Sequence, residues 1–309
     1  MEIHELMVIL GPTATGKTAL AVKAARALNA EIVSADSRQI YRGLDIGTGK
    51  DLSEYSQGGT AVPYHLIDFL NPGETYNTFQ FKADATEVIR EIGSRNKLPL
   101  VCGGTGLYIE SLLLDYHFSS ANRQEDFRRE AEHMDNSVLA RQIEVLGGTL
   151  SNEDKANRHR LIRKLEVLLF SEEKKEMRES LKIEKLHVFG IELPREIIRR
   201  RITDRLIIRL EHGMVEEVKS LLDDGVSPKW LDALGLEYRF VSRYLKKQMS
   251  YQEMFSQLET AIHQFAKRQS TWFRRMEKRG IKINWIDGQV DDMEKMEFIM
   301  ETVDFNCHG

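Results

Sequence analysis

The sequence predicts an α/β fold, a doubly wound parallel sheet of the P-loop NTPase type carrying an inserted helical domain. Three observations predict it. The apolar run Leu6-Met-Val-Ile-Leu10 leads into Gly11-Pro-Thr-Ala-Thr-Gly-Lys-Thr18, and Ala19–Leu28 after it is rich in helix formers. Three more strand-like runs follow, around 31–35, 62–68 and 98–102, and most end in polar or Gly-rich turns. After Leu114 the pattern changes: residues 119–184 are highly charged and helical in character, with no clear strand. The predicted organisation is a core of residues 1–118 and 185–309, with 119–184 as the insert.

The first strand–loop–helix fits G-x-x-x-x-G-K-[ST]. Gly11 and Gly16 permit a tight turn whose amides point inward, and the helix start adds its positive dipole end. Pro12, Thr13, Ala14 and Thr15 complete the cradle. Lys17 can reach terminal phosphates, and the Thr18 hydroxyl can ligate Mg²⁺. The loop alone does not say which phosphate ester it holds.

The second strand runs into Asp36-Ser37-Arg38-Gln39. In an open parallel sheet, ligands sit outside the carboxyl ends of the strands, so Asp36 should face the same crevice as the loop. It can serve there as general base, magnesium partner or helix N-cap. Gly43–Lys50 is Gly-rich and offers Thr48 and Lys50 as phosphate contacts. Val62–Asp68 reads as a strand ending in an acid, either a magnesium partner or the start of a turn before Asn71-Pro-Gly73. Residues 78–96 predict an amphipathic helix. Leu98–Cys102 then ends in Gly103-Gly-Thr-Gly-Leu-Tyr108, a second Gly-rich strand-to-helix turn.

The chain has 309 residues, more than one core comfortably fills, which agrees with two domains. No apolar run approaches a membrane span, and no secretory leader is visible. Cys102 and Cys307 are the only cysteines, so neither a disulfide framework nor a Cys-based metal site is expected, and a cytoplasmic protein is. The net charge of −4 argues weakly against a nucleic-acid partner, but its distribution matters more. Basic residues cluster at Arg158–Lys164, along Arg195–Arg209, and at Ala266–Arg275. Spacings of four align Arg201, Arg205 and Arg209 on one helix face, either a surface stripe or a lid that clamps anions. In the third cluster Trp272 and Phe273 lie among the basic residues, which suits a nucleic-acid backbone with splayed bases or an ordinary helix with a buried aromatic pair. His187–Leu193 should complete the sheet, and after the third cluster Ile281–Ile286 should form an edge strand and 291–303 a closing helix.

Taken together, the chain resembles the bacterial tRNA dimethylallyltransferases. The residues that carry this are Gly11–Thr18, Ser34-Ala-Asp-Ser37 with Ile40-Tyr41, Asp45-Ile-Gly-Thr48, His65-Leu-Ile-Asp68, Gly103–Tyr108, Arg163 with Leu165-Glu-Val167, and Ala266-Lys-Arg-Gln269 with Thr271-Trp-Phe-Arg274. They appear in the family's order over nearly the whole chain. The resemblance implies transfer of a dimethylallyl group from dimethylallyl diphosphate to N6 of the adenosine 3′ of the tRNA anticodon, with release of diphosphate. It implies that Asp36 orients the amine and takes its proton, and that Thr105 binds near the transferring group. Lys17, Mg²⁺ near Thr18, and Arg201 or Arg205 would stabilise the leaving diphosphate. Asp36, Ser37, Arg38 and Gln39 would read the extruded base, and Arg128, His159, Arg160, Leu161, Ile162, Arg163, Arg268 and Gln269 would contact the tRNA. A monomer is expected. Two elements depart from the family's pattern: Gly235-Leu-Glu-Tyr-Arg239 replaces Gly-Tyr-x-Glu, and Gly49 and Asp51 flank Lys50 where the family usually has Ala and Pro.

Two other functions compete. An ATP-dependent small-molecule kinase explains the loop and Asp36 but leaves the Trp272 helix and the basic insert idle. A non-catalytic, nucleotide-dependent RNA-binding protein explains the basic clusters but not Lys17, Asp36 and Thr105 around one crevice.

Overall fold

Six strands build one parallel sheet in the order β3-β2-β4-β1-β5-β6. In the computed structural model they are β1 Glu2–Leu10, β2 Ala30–Ser34, β3 Tyr64–His65, β4 Leu98–Gly103, β5 Lys182–Glu192 and β6 Asn284–Asp287. Residues 2–114, 124–170 and 181–307 are described, apart from the side chains of 2, 153 and 304–307. The predicted boundary at 118/119, the helical reading of 119–123 and 171–180, and the Cys307 side chain lie outside them.

The helices are α1 Lys17–Ala27, α2 Ser53–Ser56, α3 Thr78–Ser94 and α4 Gly106–Leu113. Then come α5 Glu125–Ala131, α6 Asn136–Val145, α7 Asn152–Lys155 and α8 Arg158–Phe170. After β5 follow α9 Arg195–Glu211, α10 Met214–Asp223, α11 Pro228–Leu234, α12 Leu236–Leu245, α13 Tyr251–Lys278 and α14 Asp292–Cys307. No helix among the described residues is long and apolar enough to cross a membrane.

Chain contacts divide the protein into two units, Met1–Leu114 with Leu181–Gly309, and Asp115–Ser180. The return to the sheet comes earlier than the predicted residue 185, because β5 already pairs at Lys182 with Glu2. Its first residues alternate exposed and half-buried, with only Ile183 and Leu186 apolar among the first five, so they carry little apolar signal. β1 likewise begins at Glu2 rather than Leu6.

Period-two alternation puts the central strands between two cores. Leu6, Val8 and Leu10 of β1 pack with Phe81, Ile89, Tyr108 and Phe273 on one face. Met7 and Ile9 pack with Leu20, Ala24 and Ile299 on the other. Buried on both faces, such strands read as continuous apolar runs. A third core joins α9 to α13 with Ile40, Tyr41 and Leu44. The second unit has its own core of Leu139, Ile143, Leu161, Ile162 and Leu165.

The predicted strand over 62–68 shrinks to β3. Leu66 and Asp68 both adopt positive φ, so the chain turns instead of extending.

Candidate functional site

The carboxyl ends of β1, β2 and β4 converge on one crevice. Leu10 pairs with Gly103, and Ser34 with Cys102, so the phosphate loop, Asp36 and Thr105 emerge at one level. A Cβ on Gly103 would lie 2.3 Å from the Ala35 carbonyl oxygen. The glycine therefore lets the turn after β4 press against the end of β2. There the Thr105 N–H donates to Ala35 O at 3.2 Å, and Thr105 Oγ1 accepts from the Ser37 N–H at 3.1 Å.

In the phosphate loop Ala14 and Gly16 both take positive φ, and Thr15 Oγ1 donates to Pro12 O at 2.9 Å. Lys17 Nζ sits 3.5 Å from Pro12 O. Burial pushes the Lys17 pKa down, partly offset by Asp36. Asp36 Oδ1 accepts from the Arg38 N–H at 2.9 Å, which fixes the carboxylate in a turn; no helix starts here, so the N-cap reading falls away. Asp36, Lys17, Thr13, Thr48 and Arg205 line the crevice together.

Two arginines of α9 enter it. Arg205 is hydrogen-bonded to Thr13 Oγ1. Burial, then the neighbouring Arg209, lowers its pKa to about 10. Arg209 reaches 4.0 Å from Glu237 and lies against Gly49, where a Cβ would overlap its guanidinium. Gly49 in place of the family's usual Ala thus makes room for Arg209. Arg201 is exposed and does not line the crevice, contrary to the catalytic role expected of it, because it lies a full turn before Arg205 on the same face and so stops short of the crevice.

Gln269 is not a surface contact for RNA. It is buried, Oε1 accepts the Thr13 N–H at 2.9 Å, and Nε2 donates to Gly104 O at 2.9 Å. It is a strut between the phosphate loop and the turn bearing Thr105. Arg268 is exposed beside Phe265, with its guanidinium carbon 5.9 Å from the ring centre, and Arg38 stacks on the same ring at 5.3 Å. Gln39 Nε2 donates to Gly49 O at 3.2 Å. Phe273 is fully buried, while Trp272 is half-buried, packing on Gly106 and under Arg275, so only one ring of the expected buried pair is in the core.

Other expected contacts are structural. Lys50 is buried and binds Asp45, Asp68 and Tyr41 O, so it is no phosphate ligand and Asp68 no magnesium partner. Thr48 Oγ1 is hydrogen-bonded to Leu44 O. The 45–47 loop is held by a residue the sequence did not flag. Glu217 accepts from the amides of Asp45, Ile46 and Gly47 at 2.7–3.0 Å and from Tyr238 OH at 2.8 Å.

In the insert, Leu161 and Ile162 belong to its core and cannot present side chains to tRNA. Arg128 forms a two-pronged pair with the buried Glu166 at 2.7 Å, and Arg163 Nη1 adds 2.6 Å. Burial pushes the Glu166 pKa up, but those bonds and the Gln124 N–H outweigh it and hold it at about 2. Both arginines are thus committed to folding the unit. His159 and Arg160 are exposed, with Arg160 3.8 Å from Asp154.

The phosphate side of the crevice also holds Ser34, Asp51, Glu54 and Cys102, beyond the motif residues. Burial and Asp51 raise the Glu54 pKa, and its Oε2 has no hydrogen-bond partner. With the Thr18 hydroxyl, these hard oxygens suit a magnesium ion arriving with phosphates. Among the described residues no group of three or more His, Cys, Asp or Glu forms a self-contained metal cage. Burial raises the Cys102 pKa to about 12, which makes it an inert wall.

Comparison with known proteins gives a consistent result. A family model described as IPP transferase matches residues 39–276, and one described as isopentenyl transferase matches residues 4–64. The chain is 44% identical over 298 residues to tRNA dimethylallyltransferase 1 of Geotalea uraniireducens, covering 96% of each. It is 46% identical over 297 residues to tRNA dimethylallyltransferase 2 of Porphyromonas gingivalis, covering 96% of this chain and 98% of that one. Its fold is similar to the crystal structure of the tRNA isopentenylpyrophosphate transferase of Bacillus halodurans, with a TM-score of 0.71, 31% identity and coverage of 99% and 98%.

Proposed function

The chain belongs to the tRNA dimethylallyltransferase family and transfers a dimethylallyl group to tRNA; from that premise we propose how its own residues carry the transfer. The donor is dimethylallyl diphosphate, the acceptor is N6 of the adenosine 3′ of the anticodon, and diphosphate is released. The observation that carries this is the placing of Asp36 in one crevice with Lys17 and Arg205. A proton acceptor and buried cations share one site.

Lys17, Arg205 and Arg209 line the crevice, and burial lowers the pKa of Lys17 and Arg205. The diphosphate gains charge as it leaves, so these cations act most strongly at the transition state. The loop amides and Thr13 orient the diphosphate. The amine of adenine attacks the allylic carbon, the carbon–oxygen bond to diphosphate breaks, and the displaced N6 proton passes to the Asp36 carboxylate. Thr105, tied to the Ser37 amide, would act on the transferring group by fixing the Asp36–Ser37 turn. Thr18, with Glu54 and Asp51 nearby, would hold Mg²⁺, which neutralises diphosphate charge when bound. Arg38 and Gln39 would meet the extruded base and its neighbours, and the protein would act as a cytoplasmic monomer.

The test is a transfer assay with Mg²⁺, radiolabelled dimethylallyl diphosphate and unmodified tRNA. Label mapped to the adenosine 3′ of the anticodon is expected. Asp36→Asn should cut turnover by about 10²–10⁴-fold, the usual worth of a general base, with tRNA affinity nearly unchanged. Full turnover in that variant would remove Asp36 as the base.

A further inference from the structure

The ladder between β1 and β4 ends at the pair of Leu10 with Gly103. Beyond it one strand continues as the phosphate loop and the other as the turn bearing Thr105. Gln269, from α13, stands between them. Its Oε1 accepts the Thr13 N–H at 2.9 Å, and its Nε2 donates to the Gly104 carbonyl oxygen at 2.9 Å. The two bonds fix the amide one way round, because the reverse would set donor against donor and acceptor against acceptor. Gln269 is only 8% exposed, so water is poorly placed to replace either bond.

The fit is close at both ends. A Cβ on Gly104 would lie 2.5 Å from Gln269 Nε2 and 3.4 Å from the Gly11 carbonyl oxygen. Thr13 is held a second time, by Arg205 through its hydroxyl. From Gly104 the connection continues to the base. Thr105 is the next residue; its N–H donates to Ala35 O at 3.2 Å, and its Oγ1 accepts from the Ser37 N–H at 3.1 Å. Ala35 and Ser37 are the neighbours of Asp36 on either side. One buried amide thus joins the loop that holds the diphosphate to the turn that holds the carboxylate.

We propose that Gln269 is a positioning residue for the transfer: it sets the phosphate loop against the Thr105 turn and so fixes where the allylic carbon stands relative to the amine at Asp36. That role rests on the transfer reading above and adds a residue to it. Gln269 acts through Thr13 and Gly104, not on the reacting atoms. Attack requires the two atoms in near contact, and a displacement of about 1 Å costs about 10²-fold in rate. An apolar side chain of similar size would fill the same space but leave the Thr13 N–H and the Gly104 carbonyl unpaired, and nothing would then hold the loop and the turn in register.

The experiment compares Gln269→Glu and Gln269→Leu with the wild type in the full chain. Gln269→Glu keeps an acceptor for Thr13 but sets a carboxylate against the Gly104 carbonyl; Gln269→Leu loses both bonds. The single-turnover transfer rate with both substrates saturating is expected to fall about 10²-fold in each variant. The affinity for tRNA should stay nearly unchanged, so the loss appears in kcat and not in the KM for tRNA. Gln269→Leu combined with Thr105→Val should fall no further than the worse single variant, because both act through one turn. An unchanged rate in both variants would overturn the proposal, and so would effects that multiply in the double variant. Weakened tRNA affinity at an unchanged rate would make Gln269 an RNA contact instead. A loss that vanishes once rates are corrected for the folded fraction, read by circular dichroism at the assay temperature, would reduce it to a packing residue. Failure of the transfer reading is told apart by the wild type: no transfer there removes that reading and the role with it, whereas active wild type with equally active variants removes the role alone.

Discussion

The arginines of α9 and those of the insert are the same residue in opposite electrostatic situations. Arg205 is buried at the crevice, its pKa lowered by desolvation and by Arg209, with Thr13 as a neutral partner. Arg128 is held above its ordinary value by hydrogen bonds to Glu166. One cation is left short of charge where a ligand must come. The other is satisfied within its own unit. Basic clusters in a sequence therefore do not announce binding surfaces; the deciding fact is whether a carboxylate has already claimed the cation.

The sharpest way to break this comparison is to remove the claimant. Glu166→Ala leaves Arg128 and Arg163 without their buried partner and should destabilise the insert by about 3–5 kcal/mol. Hydrogen exchange should show lost protection in α5–α8, with β1, β4 and β5 unaffected. Wild-type protection throughout would mean the pair is incidental. The matching experiment on the other side is Arg205→Ala. It should lower kcat by about 10²–10³-fold, or about 2.7–4 kcal/mol, as for other groups aimed at developing negative charge. Its melting temperature should hold or rise, because a desolvated cation without a carboxylate is removed. A clear loss of stability would show that Arg205 is a structural group.

Acid separates the two regions more gently, since protonation neutralises Glu166 without deleting it. Its folded pKa of about 2 lies below the ordinary carboxylate value of 4.5. Such a group contributes stability that is fully present above the unfolded value and is lost as pH falls toward the folded one. The insert should therefore lose protection between about pH 4.5 and 2, and Glu166→Gln should flatten that dependence. An acid profile identical in the variant would assign the loss to other carboxylates.

Much of this was legible in sequence, for reasons specific to each element. The phosphate loop was legible because its chemistry is backbone chemistry, written in glycines at fixed spacing. Asp36 was legible because strand ends in a parallel sheet face one crevice. Arg209, Glu217 and the strut role of Gln269 were not, because each depends on which residue arrives from a distant helix. Glu217 reaches the 45–47 amides across about 170 positions of sequence. The polar start of β5 was invisible for the complementary reason: pairing with β1, not side-chain burial, makes it a strand. Leu161 and Ile162 sat inside a basic motif, and only their helical phase separates core from surface.

The smallest expected effect tests Arg160, which, unlike Arg163, does not pair with the buried Glu166. Arg160 lies 3.8 Å from Asp154, which Lys164 already binds at 2.6 Å, so its removal costs the fold little. If it meets a tRNA phosphate, Arg160→Ala should weaken binding by less than about tenfold, equally for all substrate tRNAs, and lower the slope of log affinity against log salt by about 0.7–0.9. Arg163→Ala should instead expose itself first as instability, because its guanidinium serves Glu166. An Arg160→Ala slope equal to that of the wild type would remove Arg160 as a phosphate contact, and the motif would then be chiefly a folding element.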